Sequence, residues 1–155
     1  MAQNVEKGSF EPFDASNYRV GVVVAQFNRD IGEQLVACAL EKAKQYRLAD
    51  TRVKIFRVTG SIELPVVLQA LAKAKEYDGL VALGVIIRGE TPHFDYVAKI
   101  ASEGILRVML DYGIPIGFGV LTCDTREQAL ARVHVGADAM TAALHAVKAI
   151  KPIQS

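Results

Sequence analysis

The chain has 155 residues and a mass of 16.8 kDa, and 51% of its residues are hydrophobic. A chain of this length and composition can bury one sizeable core, so we expect one domain over residues 1–155 with a polar N-terminal arm over residues 1–17. Lysine and arginine number 18 against 17 aspartate and glutamate. This balance provides no basic surface for nucleic acid or for a membrane, and it favours a small-molecule role.

The sequence contains no apolar run long enough for a signal peptide near its start or for a membrane span farther along. We therefore expect a cytoplasmic protein. Cys38 and Cys123 lack the paired spacing of a disulfide framework or a metal site, so we expect both to be reduced.

Four apolar, mostly β-branched segments predict buried parallel strands, at residues 19–25, 53–58, 79–87 and 114–121. Apolar stripes between them predict helices, and an alanine-rich helix is expected over about residues 137–150. Strands that alternate with helices form parallel sheets through right-handed crossovers. We therefore expect an α/β three-layer sandwich with a four-stranded parallel sheet, which is a flavodoxin-like arrangement.

Helix-start signals support these boundaries. Asp30 with Glu33 predicts a capping box for the first helix, and Thr125 with Gln128 predicts one for a short helix near the end. Pro65 suits the first turn of the second helix.

In such sheets ligands bind beyond the carboxyl ends of the strands, so the four loops that follow the strands are the candidate site. After the first strand, the Phe27 ring can stack on a flat heterocycle and the Asn28 amide can bind a polar edge. The alternative, more usual for an isolated phenylalanine, is that Phe27 fills the top of the core while Asn28 begins the helix cap.

After the second strand comes TGSIELP, residues 59–65. Gly60 permits a close backbone approach, and the backbone that follows it can meet the edge of a heterocycle. The alternative is a plain strand-to-helix turn with glycine and proline as its ends.

The third loop contains Gly, Thr, His and Arg at one strand-to-helix junction. Free amides of Gly89, Glu90 and Thr91 at a helix N-terminus favour an anion such as phosphate, and the Thr91 hydroxyl can add a bond. His93 is our candidate acid/base group, because a histidine titrates near neutral pH. The alternative is a solvated or capping histidine.

After the fourth strand, Arg132 can bind phosphate through two parallel hydrogen bonds, although an arginine is more often a solvated surface cation. Cys123 has no general base beside it, so we interpret it as a small buried hydrophobe, not a nucleophile. His134 and His145 are expected to be incidental. We find no zinc spacing, dinucleotide fingerprint, P-loop or nucleophile elbow, and we expect neither a metal nor a cofactor.

Four motifs in order resemble the lumazine synthases, the 6,7-dimethyl-8-ribityllumazine synthases also called the riboflavin synthase β-chain family. They are VVVAQFN (22–28), VTGSIELP (58–65), ALGVIIRGETPHFDYV (82–97) and GFGVLTCDTREQALAR (117–132). The resemblance covers nearly the whole chain, and its IRGxTxHxxYV block is specific.

The resemblance implies a cofactor-independent transferase. It would condense 5-amino-6-(D-ribitylamino)uracil with 3,4-dihydroxy-2-butanone 4-phosphate to 6,7-dimethyl-8-ribityllumazine, the penultimate step of riboflavin biosynthesis. By this resemblance His93 shuttles protons and Arg132 anchors phosphate. The other implied substrate-binding residues are Phe27, Asn28, Ser61, Ile62, Glu63, Ile86, Ile87, Gly89, Glu90, Thr91 and Phe118.

The family builds its sites between neighbouring subunits of a ring of five, so the resemblance implies that Phe118 and Arg132 come from the second subunit. It also implies that the arm before Tyr18 adds to a neighbour's sheet, and it offers riboflavin synthase as a possible partner. Whether pentamers build a sixty-subunit shell stays open.

The chain departs from the family at Ile62, where many members have an aromatic residue, and after Arg132, where the family lysines are absent. Both differences bear on substrate affinity. The rival hypothesis is a non-catalytic flavin-binding, lumazine-binding or shell-forming relative, and a weaker one is a flavodoxin-like electron carrier. His93 together with Arg132 favours catalysis, because a pure binder needs no proton-transfer group beside a phosphate anchor.

Overall fold

The computed structural model describes residues 8–154, so the first seven residues of the expected arm and Ser155 lie outside the described residues. Its strands are β1 (Val20–Ala25), β2 (Val53–Val58), β3 (Gly79–Ile87) and β4 (Ile116–Cys123). Its α-helices are α1 (Arg29–Gln45), α2 (Leu64–Ala74), α3 (His93–Tyr112), α4 (Arg126–Leu130) and α5 (Val135–Gln154). Short 3₁₀ turns occur at Asp50–Arg52 and Ser61–Glu63.

The four strands form one parallel sheet in the order β2-β1-β3-β4. Helices α1 and α5 pack on one face, and α2 and α3 pack on the other. Two apolar clusters therefore lie on opposite sides of the sheet. The expected three-layer α/β sandwich with a four-stranded parallel sheet is confirmed.

The central strands have the composition that such a sheet requires. Every residue of β1 is buried, and so is every residue of β3 except its last, because helices cover both faces of the sheet there. The prediction of full burial is wrong for β2, in which Lys54 and Arg57 are exposed. This strand is at the edge of the sheet, where charged side chains also discourage pairing with other chains.

Two glycines allow α5 to approach its neighbours closely. A Cβ atom at Gly136 would overlap the carbonyl of Leu35 in α1, and one at Gly117 would overlap the carbonyl of Ala139 in α5. Helix α5 therefore packs tightly against both β4 and α1.

The capping box expected for the first helix is wrong. Asn28 is the N-cap and makes no capping bond through its side chain, while Asp30 pairs with Arg126 and Glu33 pairs with Arg57. The two carboxylates are drawn away by arginines from other elements, a competition that local spacing does not reveal.

The other helix-start predictions are confirmed. Gln128 donates its backbone N–H to Thr125 Oγ1 at 3.1 Å and completes a capping box at α4. Pro65 lies in the first turn of α2.

We expected the last strand to begin at residue 114, but β4 begins two residues later, at Ile116. The Ile114 N–H donates to Met109 O at 3.2 Å, and Gly113 has a φ of 59°. Ile114 thus completes the left-handed termination of α3 before the chain can join the sheet. The strand continues through Cys123, and α5 extends beyond the expected range at both ends.

The segment before β1 is anchored on its own chain through an aromatic cluster. The Phe13 ring centre lies 5.1 Å from those of Tyr46 and His145, and the Ala15 N–H donates to Tyr46 O at 2.8 Å. Tyr46 Oη lies 2.8 Å from His145 Nε2. His145, which we expected to be incidental, therefore has a structural role. Burial and the nearby Lys148 lower the pKa of His145.

Between residues 8 and 154, none of the helices has the length and apolar character needed to cross a membrane.

Candidate functional site

A cleft of about 340 Å³ opens beyond the carboxyl ends of β1, β2 and β3. It brings together residues predicted from the first three loops, although they are far apart in the chain. Its lining residues are Phe27, Asn28, Gly60, Ser61, Ile62, Glu63, Val85, Ile86, Ile87, His93 and Val97.

The floor of this cleft is a free edge of β3. β1 pairs with β3 only as far as Val24 opposite Leu83, and the chain then turns away after Ala25. β3 runs on to Ile87, paired with β4 on its other side. Backbone groups of Val85 and Ile87, which alternate with those bonded to β4, therefore face the cleft on the β1 side, where a polar ligand edge can bind as a further strand would.

Asn28 joins the first loop to this edge. Its side-chain Nδ2 donates to the Val85 carbonyl at 3.2 Å, and its φ of 58° places it in the left-handed region, which asparagine tolerates well. Asn28 occupies the N-cap position of α1, as the alternative interpretation expected, but its side chain makes no capping hydrogen bond. Its amide is directed toward β3 instead.

Phe27 is on the surface of the cleft. Its side chain is 70% exposed, so the interpretation of Phe27 as a plug of the core is wrong. Its ring lies against Gly60, where a Cβ atom would come within 2.9 Å of Phe27 Cδ2. An exposed aromatic face beside a polar backbone edge suits a flat heterocycle.

The second loop is held by Glu63. The Thr59 hydroxyl donates to Glu63 Oε1 at 2.9 Å, and the Gly60 N–H donates to the same oxygen at 3.0 Å. The carboxylate thus stabilises the turn that carries Ser61 and Ile62. Ser61 is 5% exposed, and its hydroxyl lies under Gly84, whereas Ile62 is 38% exposed at the cleft.

The third loop, residues 89–92, lies on the surface beside the cleft. Gly89, Glu90 and Thr91 are exposed, and within residues 8–154 their amides donate to no protein acceptor. Thr91 Oγ1 accepts a bond of 3.4 Å from the backbone N–H of His93, the first residue of α3. His93 itself is exposed and lines the cleft. Donors for an anion and an imidazole thus lie side by side.

Phe118 and Arg132 are not among the lining residues of this cleft. Phe118 is on the edge strand β4 and is 46% exposed, and Arg132 Nη1 donates to the Gln128 carbonyl at 2.9 Å in the turn after α4. Cys123 is buried and burial raises its pKa, which disfavours the thiolate that a nucleophile requires.

Sequence reasoning missed two lining residues, Val85 as the acceptor for Asn28 and Val97. It selected Gly60 for a close backbone approach but did not foresee that the Phe27 ring lies against it. The unequal lengths of the predicted first and third strands hinted at the free β3 edge. In the described part of the chain, no group of three or more His, Cys, Asp and Glu side chains has the arrangement to hold a metal ion.

Comparisons with known proteins assign the family. Residues 17–151 match the family model described as 6,7-dimethyl-8-ribityllumazine synthase. The enzyme of that name from Desulfovibrio desulfuricans is 41% identical over 145 residues, which are 90% of this chain and 93% of the relative. The one from a Nocardioides species is 44% identical over 149 residues, which are 92% of this chain and 91% of the relative.

Among solved structures, a de novo designed Rossmann fold protein aligns with a TM-score of 0.37 at 17% identity, over 73% of this chain and 91% of that one. A similarity this low adds nothing to the assignment, which rests on the family model and on the two relatives. The chain belongs to the 6,7-dimethyl-8-ribityllumazine synthase family.

Proposed function

We propose that this chain condenses 5-amino-6-(D-ribitylamino)uracil with 3,4-dihydroxy-2-butanone 4-phosphate to 6,7-dimethyl-8-ribityllumazine in the cleft above β1 and β3. The supporting observation is the convergence of Phe27, the free β3 edge and His93 on one cavity. Such a cavity has a stacking face, a polar edge and a proton-transfer group. It suits a reaction between one flat heterocycle and one small phosphate.

The pyrimidine binds against Phe27, with its polar edge toward the last residues of β3. Phe27 supplies an exposed ring, and Ile87 supplies backbone groups that point away from β4. The backbone of Ile86 is paired with β4, so Ile86 contributes to the cleft through its side chain. Asn28 and the turn at Ser61, Ile62 and Glu63 bind the remaining polar groups and the ribityl chain. Because the Ser61 side chain is buried, we assign its contribution to the backbone.

The phosphate-bearing substrate binds at residues 89–91. Their amides, which have no acceptor among residues 8–154, and the N-terminus of α3 favour an anion, and Arg132 supplies the positive charge. His93, at the end of this loop, lies between the phosphate and the heterocycle. It is placed to move protons between the reacting nitrogen and oxygen atoms.

The chemistry requires alignment, proton transfer and a place for phosphate charge. The 5-amino group attacks the ketone to form an imine with loss of water. Proton loss then eliminates phosphate and leaves a new carbonyl, and the ribitylamino nitrogen condenses with that carbonyl, with loss of a second water, to close the ring. Holding two substrates in one cleft supplies much of the rate, and donors at the phosphate stabilise the leaving charge. We expect neither a metal nor a cofactor to take part.

We propose that the complete site lies between two subunits of a pentamer, with Phe118 and Arg132 supplied by the neighbour. Phe118 is exposed on an edge strand, and Tyr96, Ile100 and Leu110 of α3 are exposed as well. Exposed apolar side chains on adjacent elements are typical of an interface.

Four further predictions come from the sequence and from the family resemblance. They are the single-domain organisation, the cytoplasmic location, the contact of the N-terminal arm with a neighbour's sheet and a riboflavin synthase partner.

The rival function is binding of a flavin or lumazine without catalysis. It would use Phe27 and the β3 edge equally well, since stacking and edge recognition do not distinguish a substrate from a product. The exposed His93 lies beside amides that bond to nothing in the described part of the chain, which favours catalysis, because neither feature is needed to hold a neutral heterocycle.

The deciding experiment mixes the purified chain with both substrates and follows the lumazine chromophore, with the protein-free mixture as control for the spontaneous reaction. We expect acceleration that survives dialysis against a chelator. Binding of the product without acceleration would favour the rival function, and a rate restored only by a divalent ion would contradict the metal-free mechanism.

A further inference from the structure

Arg88, the first residue after β3, makes contacts in several directions. Its backbone N–H donates to the Cys123 carbonyl at 2.9 Å and extends the β3–β4 ladder by one residue. Its Nε donates to Asp124 Oδ1 at 2.9 Å, and Nη1 lies 3.6 Å from Asp95 Oδ1. The guanidinium carbon lies 4.4 Å from the centre of the Phe94 ring. One side chain thus connects the third loop, α3 and the loop after β4.

These contacts hold both ends of the 89–92 loop. The loop begins at Arg88, and Phe94 and Asp95 are in the first turn of α3, immediately after the loop ends. Within the described residues the amides of Gly89, Glu90 and Thr91 have no protein acceptor, and the hydrogen bonds of the loop lie at its end, from His93 N–H to Thr91 Oγ1 and from Asp95 N–H to Pro92 O. Fixed ends are the restraint that the structure provides.

Arg88 already interacts with two carboxylates, through a hydrogen bond from Nε to Asp124 and a longer ion pair with Asp95. Asp124 and Asp95 flank the guanidinium, and the hydrogen bond with Asp124, ahead of the charge of Asp95, raises the pKa of Arg88. A phosphate that bound Arg88 would compete with two carboxylates. A planar guanidinium can stack on a ring and bond to a carboxylate at the same time, which an ammonium group cannot do.

We infer that Arg88 is a positioning residue for the proposed condensation, which holds the 89–92 loop and His93 in place beside the heterocycle cleft and does not itself bind the phosphate. The inference rests on the proposed function. It assigns to Arg88 and Asp124 a role in the geometry of the phosphate site.

The test measures kcat and both KM values for Arg88→Met, Arg88→Lys, Asp124→Asn and the double variant Arg88→Met with Asp124→Asn. Inhibition by inorganic phosphate is measured alongside. Asp30→Asn is the matched control, because it also removes one carboxylate that pairs with an arginine and does not contact Arg88.

A positioning role predicts that Arg88→Met and Asp124→Asn each lower kcat and raise the KM for the phosphate-bearing substrate. For each single variant, kcat/KM for that substrate should fall by about tenfold. The KM for the pyrimidine should change by less than about twofold, because Phe27 and the β3 edge are untouched. The double variant should be no worse than the worse single variant. Arg88→Lys should lose activity although it keeps the charge.

A direct phosphate ligand predicts the opposite sign for Asp124→Asn. Removal of a competing carboxylate would lower the KM for the phosphate-bearing substrate and tighten inhibition by phosphate, and that result would overturn the inference. A purely structural role would reduce kcat in proportion to the folded fraction with both KM values unchanged, and would also overturn it. If Arg88→Met does not fold, Arg88→Lys and Asp124→Asn decide the question.

The wild-type assay separates the two proposals. No acceleration by the wild-type protein would count against the proposed function, whereas an active wild type with unaffected variants would count against the role of Arg88 alone.

Discussion

The ring of Phe27 rests on Gly60, and a Cβ atom at position 60 would come within 2.9 Å of Phe27 Cδ2 and 3.1 Å of Glu63 Oε1. The two residues belong to loops after different strands. The absence of a side chain at Gly60 therefore determines where the proposed stacking face lies and lets Glu63 cap the turn.

Gly60→Ala should displace the Phe27 ring and raise the KM for the pyrimidine by about threefold to tenfold, because stacking is worth about 0.5–1.5 kcal/mol beyond buried area. The KM for the phosphate-bearing substrate should change less. Gly89→Ala is the control for the pyrimidine KM, since nothing lies within 4 Å of a Cβ at that position. Equal effects of the two variants on the pyrimidine would contradict this account of Phe27.

His93→Ala should slow turnover by at most about a hundredfold, at the low end for acid/base groups, because the substrates also react unaided. Assembly should be unchanged, since His93 is exposed at the start of α3. Steady-state kinetics and native mass spectrometry provide the two measurements. An unchanged rate would remove His93 from the mechanism.

Arg132→Ala should mainly raise the KM for the phosphate-bearing substrate, because an anchor holds substrate and transition state alike. The KM for the pyrimidine should move less. If both KM values rose equally, Arg132 would have a structural role, in keeping with its bond to the Gln128 carbonyl.

Mixed rings of His93→Ala and Arg132→Ala chains should regain activity, since Arg132 is not among the residues that line the cleft of its own chain. In a random head-to-tail ring about a quarter of the sites then receive both intact residues. The two variants are dissociated, mixed equally and reassembled, with exchange checked by native mass spectrometry. Activity equal to the average of the parents would show that one chain supplies both residues.

Acid should destabilise the N-terminal aromatic cluster through His145. Its pKa is lowered in the folded chain, so its contribution is fully present above the unfolded pKa of about 6.5 and is lost as the pH falls through the folded value. Tyr46 and Lys148 lie near His145, and Glu11 acts on Tyr46. Lys42 and Asp138 line the same cavity as His145. Between about pH 7.5 and about pH 5.5, Tm should fall more for the wild type than for His145→Gln, which keeps a partner for Tyr46. Equal decreases in Tm for the two proteins would show that groups other than His145 cause the acid sensitivity.

The sequence by itself determined the class of fold and most of the candidate site. Uninterrupted apolar runs in β1 and β3 indicate burial on both faces, and the loops after parallel strands must meet at one edge of the sheet. The loops after the strands contain Phe27, Ile62 and His93, and the topology of the sheet brings all three to one cleft.

Only the tertiary structure decided the features that depend on partners distant in the chain. Asp30 and Glu33 have the spacing of a capping box, but they pair with Arg126 and Arg57, which belong to other elements. The free edge of β3 depends on where β1 turns away from it. The cluster around His145 depends on which helix faces meet. Local propensity contains no information on these contacts, because each is a competition between groups that folding brings together.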